Sequence, residues 1–267
     1  MRLFPVLGLA SAALAFTGPL AAQADSTWHL AGLRTGFCIQ LLLDPASEIL
    51  QALPSGTRFL PASEDKSLHP SLRDVVASQS EFGAWAPSQL CFHAVDTIST
   101  SEFTIRGKRD RPQLFGFWTV KSPGTGGGPR DLVLALYTTS GRLAKAGEKL
   151  VSRVREGRLR MGKVPTVDED GVPSSDDRFE VKLGKTLITW DGRLANDTVR
   201  VKEPVTMDWA LRDRGARLSL SPEFALPMVG ALKVDGKDDF AKALKASPTR
   251  FAGPAYRGGT GMVSFGP

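Results

Sequence analysis

Beyond Leu90 the chain is cut into short β-type runs by Pro, Gly and charged turns, a rhythm that an architecture of long helices cannot absorb. Residues 90–98, 102–106, 113–121 and 131–139 read as successive strands, and 178–183, 186–190, 198–202, 205–211, 216–220 and 228–234 continue the series. The clearest hairpin is 179–190, two alternating runs joined by Gly184-Lys185. Upstream, 35–43 is a further buried strand. Helical spacing is confined to short pieces: Asp44-Pro45 through Leu53, a turn or two from Pro70 through Val76, 141–156, and 238–245. The end of the chain, 248–267, is rich in Gly and Pro and is expected to drape over the body or to hang loose. These runs predict a mainly β fold with a few short helices (α+β), built from antiparallel meanders and hairpin-rich sheets in a sandwich- or barrel-like arrangement.

Composition agrees with a packed core. Of 267 residues 42% are hydrophobic and 23% charged, which excludes wholesale disorder, collagen and coiled coil. A β-rich unit of this length can be one domain; a subdivision, where there is one, falls near 166–177, giving 25–165 and 178–267. The preference for Arg and the single Asn, Asn196, suggest a GC-rich, bacterial coding genome.

The first 24 residues have the form of a cleaved signal peptide: Met1-Arg2, an apolar stretch over 3–16, and Ala22-Gln23-Ala24 before Asp25. Pro5, Thr17, Gly18 and Pro19 interrupt the run, so it is short of a membrane anchor. No later span is long enough to cross a bilayer. The expected product is a soluble periplasmic or secreted protein, and in such an oxidising compartment the only two cysteines, Cys38 and Cys91, are expected to form a disulfide.

Motifs for chemistry are sparse. Gly184-Lys185-Thr186 resembles the end of a phosphate-binding loop, but Phe179 stands where that loop needs Gly. The three histidines, His29, His69 and His93, have no metal-ligand spacing, so no metal and no cofactor is expected. The acidic stretch Asp168-Glu169-Asp170-Gly171 departs from a calcium loop at Val172 and Phe179. The tryptophans Trp28, Trp118, Trp190 and Trp209 sit in strand-like contexts that predict core packing, Trp85 being the exception.

The strongest asymmetry is 142–163, where Arg142, Lys145, Lys149, Arg153, Arg155, Arg158, Arg160 and Lys163 face only Glu148 and Glu156, in a chain whose net charge is +6. Such a run is commonly a solvated face. Read functionally, it predicts a non-catalytic binding or envelope-associated module in which Arg153, Arg155, Arg158 and Arg160 hold anionic lipid head groups, anionic polysaccharide or an acidic protein; export argues against nucleic acid. The alternative is an exported hydrolase of a small ester or glycan. There His93, on the same strand face as Cys91 and Val95, would work with a carboxylate such as Asp96 or Asp208, although no nucleophile motif accompanies them.

Overall fold

The computed structural model describes residues 27–266 apart from 52, 54–56, 124–128, 152, 168–170, 172, 195–197 and 212–213; the leader-like segment 1–24 lies outside them. The element order is β1 (Trp28–Leu43), α1 (Glu48–Gln51), α2 (Pro70–Ser78), a 3-10 turn at Ser80–Ala84, β2 (Ala86–Ser99), β3 (Thr104–Arg106), β4 (Gln113–Ser122) and β5 (Arg130–Thr138). There follow α3 (Gly141–Gly147), β6 (Val154–Val167), β7 (Pro173–Leu183), β8 (Thr186–Leu194), β9 (Val199–Arg200), β10 (Val205–Ala210), β11 (Gly215–Ser221), β12 (Phe224–Leu226) and β13 (Met228–Asp235). The chain ends with α4 (Asp239–Ala246), β14 (Arg250–Ala252), β15 (Ala255–Arg257) and β16 (Thr260–Phe265). The molecule is thus β-rich with short helices, as the strand rhythm requires.

Its centre is the antiparallel set β1-β2-β4-β5. These strands are apolar on both faces, because both faces are covered. On one face Phe37, Ile39, Leu41, Leu90, Phe92 and Trp118 meet the β6-β7-β8 sheet and α4 through Phe179, Val181, Trp190, Phe240 and Leu244. On the other, Cys38, Cys91, Val95, Phe115, Phe117 and Val133 meet β10, β11 and β16 through Trp209, Leu218 and Val263. Four of the five tryptophans, Trp28, Trp118, Trp190 and Trp209, are buried, and Trp85 is half-buried.

Two ladders are parallel, β5 with β6 and β5 with β10, so the sheet is mixed rather than a pure meander. The helix expected over 141–156 stops at Gly147. Hydrogen bonds from Leu150 and Val151 back to the Gly147 carbonyl turn the chain, and from Val154 it becomes a strand beside β5. β-Branched Val154 and the glycines on either side favour that outcome over continued helix. The Gly184-Lys185 hairpin forms as read, with Gly184 at φ +59°.

The C-terminal segment is neither loose nor merely draped. β16 lies between β11 and β1, while β14 and β15 pair with β1. Its glycines hid these strands: Gly258 and Gly259 adopt positive φ at the turn into β16, and a side chain at Gly259 would strike the Ser221 carbonyl.

Candidate functional site

The face of the central sheet that carries Cys38 and Cys91 has three successive zones, set by strand register. Residues two apart on a strand share a face, and partners across the ladder stand beside each other.

The first zone is dry. His93 and Phe115 are paired neighbours, and Phe117 and Trp209 complete an aromatic cluster in which the His93 ring stacks on Phe117 at 5.7 Å. His93 is 0% exposed and leans over Gly36, where a Cβ would collide with the ring. Its Nδ1 lies 3.2 Å from the Phe115 carbonyl oxygen, and Nε2 is enclosed without a partner. Burial pushes its pKa down from 6.5 to about 4, the hydrogen bond to the Phe115 carbonyl opposing only in part. His93 is therefore neutral at ordinary pH and out of reach of any substrate.

The carboxylates expected beside it are elsewhere. Asp96 accepts a hydrogen bond from Arg34 Nε at 2.5 Å, and Asp208 is held by Arg217 Nε at 2.7 Å on the exposed side of β10. The bond from Arg217 keeps the Asp208 carboxyl below its usual range. His93, Asp96 and Asp208 form no constellation, and the hydrolase reading built on them is corrected on that geometry.

The second zone is the disulfide. Cys38 and Cys91 are directly opposed on β1 and β2 and are bonded, as their number and context predict.

The third zone is open. Two residues further along each strand Gln40 stands opposite Gln89, and at the ends of β4 and β5 Lys121 stands opposite Asp131. Over this floor lies the segment 60–85, whose shape follows from local chemistry. Leu60 N–H donates to the Lys121 carbonyl, tying the segment to β4, and Ala62 N–H donates to the Trp85 carbonyl, joining its two ends. Asp65 Oδ1 accepts from Ser67 N–H and Ser67 Oγ, closing an Asx turn. His69 caps α2, its Nδ1 accepting from Ser71 N–H, with Pro70 at the first helical position. Leu68 and Leu72 anchor the segment on Leu42 and Ala62 in a small core of their own.

Between floor and cover is a cavity of about 440 Å³, lined among others by Gln40, Gln89, Lys121 and Asp131 below and Asp65, His69 and Arg73 above. That volume suits a small molecule. Lys121 Nζ is 3.1 Å from the Asp131 carboxylate, whose side chain keeps only 9% of its surface. Burial raises the Asp131 pKa; the Lys121 ammonium opposes that shift and Asp65 adds to it. The pair is thus an amine and a carboxyl group of increased proton affinity on the wall of an enterable cleft, the combination that acid–base chemistry uses.

Composition and charge density did not point to this cleft, because its residues are isolated charges at the ends of apolar runs. The available signals were Lys121 closing one strand, Asp131 opening the next across the Gly-rich link, and the Asp65-Lys66-Ser67 and His69-Pro70 turn chemistry.

The basic run is not one surface. Arg158 and Arg160 point to solvent from β6, opposite Lys182 and Glu180. Arg153 and Arg155 stand instead beside Tyr137 and Phe240, around a 10 Å³ crevice. Lys163 pairs with Asp177 of β7 at 2.8 Å, which neutralises one charge of the run, while Asp176 pairs with Arg193 of β8 at 3.2 Å. The remainder of the calcium-like stretch, 168–170 and 172, lies outside the described residues, among which no group of His, Cys, Asp or Glu is arranged to hold a metal. No helix among them is long and apolar enough to cross a membrane.

No family model matches the chain, and no curated protein matches it. Among solved structures it is similar to the enduracididine biosynthesis enzyme MppR complexed with pyruvate, at 11% identity and a TM-score of 0.46, covering 97% of this chain and 96% of that one. It is also similar to an acetoacetate decarboxylase-like enzyme from Sphingomonas wittichii RW1, at 8% identity and a TM-score of 0.44, covering 96% of this chain and 98% of that one. Both are described as enzymes; the expectation of a non-catalytic binding or envelope-associated module is withdrawn because Arg153, Arg155, Arg158 and Arg160, on which it rested, do not form one surface. At these identities and scores no activity, substrate or residue role passes from them to this chain.

Proposed function

We propose that the protein is an enzyme acting on a small charged molecule held in the cleft between the 65–73 cover and the Gln40–Gln89–Lys121–Asp131 floor. The observation that carries this reading is the Lys121–Asp131 pair, largely buried yet lining a cavity that a small molecule can enter. Asp131 is the base: burial makes its carboxylate readier to take a proton, which would come from a carbon or heteroatom of the bound molecule. Lys121 remains the ammonium beside it and holds the negative charge that the departing proton leaves behind. Gln40 and Gln89 supply amide donors and acceptors for orientation, and Arg73 offers a guanidinium to an anionic group.

The test is proton exchange. The protein is incubated in D₂O with a panel of small oxo acids, hydroxy acids and amino acids, and loss of carbon-bound hydrogen is followed by NMR. Exchange by the parent protein that Asp131→Asn abolishes supports the reading; exchange that survives Asp131→Asn overturns it. So does an absence of both exchange and thermal stabilisation across the panel.

We infer further that the chain works outside the cytoplasm, in the periplasm or beyond. The leader-like 1–24 and the Cys38–Cys91 disulfide support this. Fractionation of cells expressing the full chain, with mass analysis of its N-terminus, tests it: an uncleaved cytosolic product sinks the inference.

A further inference from the structure

The cleft holds charges that its own pairing leaves over. Of its two carboxylates, Asp131 is matched by Lys121. Asp65 is 8% exposed; among the described residues its carboxylate accepts only from Ser67, and no described Lys or Arg lies within ion-pair distance of it. Above it, Arg73 on α2 donates to the Leu68 carbonyl at 3.0 Å, and no described carboxylate pairs with it. Asp65 and Arg73 line one cavity without meeting each other. A carboxylate so deep in a cleft, and already near a second one, is stabilised by a cation brought to it; a guanidinium fork on the cover is suited to a carboxylate brought to it. His69 lines the same cavity from the cover, its Nδ1 accepting from Ser71 N–H.

We propose, resting on the reading of this cleft as the active site, that its substrates are small zwitterions of the α-amino-acid kind, with the ligand's ammonium taken by Asp65 and its carboxylate by Arg73. The Lys121–Asp131 pair then faces the part of the molecule between or beside the two charged groups. A singly charged molecule of the same size leaves one of the two protein charges unmatched, so selectivity is set against both simple acids and simple amines.

The twenty common amino acids are screened by thermal shift, together with their deaminated acids and decarboxylated amines, and the best binder and its two counterparts are compared by calorimetry. The amino acid is expected to bind at least about ten-fold more tightly than either counterpart, each lost charged hydrogen bond weakening binding by roughly ten- to a hundred-fold. Arg73→Gln should weaken the amino acid and the acid but not the amine; Asp65→Asn should weaken the amino acid and the amine but not the acid. Acid or amine binding as tightly as the amino acid overturns the zwitterion proposal and leaves the cleft standing as a site. Binding indifferent to both substitutions places the ligand elsewhere and overturns the proposal, and failure of all three compound classes to bind overturns the reading of the cleft as well. Arg73 is exposed, so the variant that reads the carboxylate contact leaves the core untouched.

Discussion

The two ends of one sheet face differ more than their spacing suggests. His93 and Gln89 are four residues apart on β2, on the same face, with Cys91 between them. At the His93 end the residues with chemical potential are sealed: His93 Nε2 and Trp209 Nε1 are enclosed without partners, and aromatic rings fill the space around them. At the Gln89 end, Asp131 keeps only 9% of its side-chain surface and Lys121 30%, and both open onto a cavity. Burial perturbs a titratable group in both places; access makes only one of them usable. A shifted pKa marks a candidate site only where a substrate can arrive.

The comparison breaks most readily at the dry end. Phe115→Ala removes a fully buried ring packed against Trp28, His93 and Trp209 and should cost about 3–5 kcal/mol in chemical denaturation. Ligand binding by the fraction still folded should be unchanged. A loss much below that range would mean that the aromatic cluster is not tightly packed. Next in size is the disulfide. Closing a loop with a sequence separation of 53 residues stabilises the fold by about 4 kcal/mol in the chain-entropy view, so Cys38→Ala with Cys91→Ala should lower stability by an amount of that order. Because the bond lies between the dry and open zones, a drop in ligand affinity beyond the fraction unfolded would show that it also fixes the cavity floor.

The core of this arrangement was legible because it depends on patterns that sequence carries directly. Apolar runs without alternation give strands buried on both faces, His-Pro gives a helix start, Asp-Pro gives a turn that leads into α1 only at Glu48, and two cysteines in strand contexts give the bridge. Three kinds of information were not legible. The strands after Pro248 are built around glycines that serve turns and close approaches, and glycine is read as a breaker when its neighbours in space are unknown. The switch from α3 to β6 depends on β5 presenting a free ladder, a tertiary fact. The cleft is assembled from single polar residues on four strands, two of them charged, and a covering segment, so no local density of charge announces it, while the dense basic run is divided between α3 and the two faces of β6.

A pH series sharpens the contrast without touching the cleft. His93 has its pKa lowered to about 4 in the fold, against 6.5 when free. Between those values the unfolded chain binds a proton that the native state refuses, so stability falls as pH falls from about 6.5 to about 4 and this contribution is level above and below that window. At about 1.4 kcal/mol per pH unit the loss by pH 4 approaches 3 kcal/mol. His93→Leu, which keeps a buried apolar side chain of similar bulk, should remove this part of the acid sensitivity, measured as urea midpoints at pH 7, 5.5 and 4. Parallel curves for the parent protein and the variant would show that His93 is not enclosed in solution.

The smallest stability effect belongs to the substitution with the greatest consequence for function. In Asp131→Asn an amide replaces a carboxyl whose ionised form burial already disfavours, and Lys121, 30% exposed, can turn its ammonium to water. Those two circumstances offset much of the lost ion pair, so stability should change by no more than about 1 kcal/mol. Proton exchange from a bound substrate should nevertheless disappear, since the amide has no basic oxygen to receive the proton. The two ends of the face then separate cleanly in experiment: Phe115→Ala lowers stability and spares chemistry, and Asp131→Asn spares stability and removes chemistry. If Asp131→Asn instead costs several kcal/mol and leaves exchange intact, the Lys121–Asp131 pair is a structural clamp, and the open end of the sheet is as inert as the sealed one.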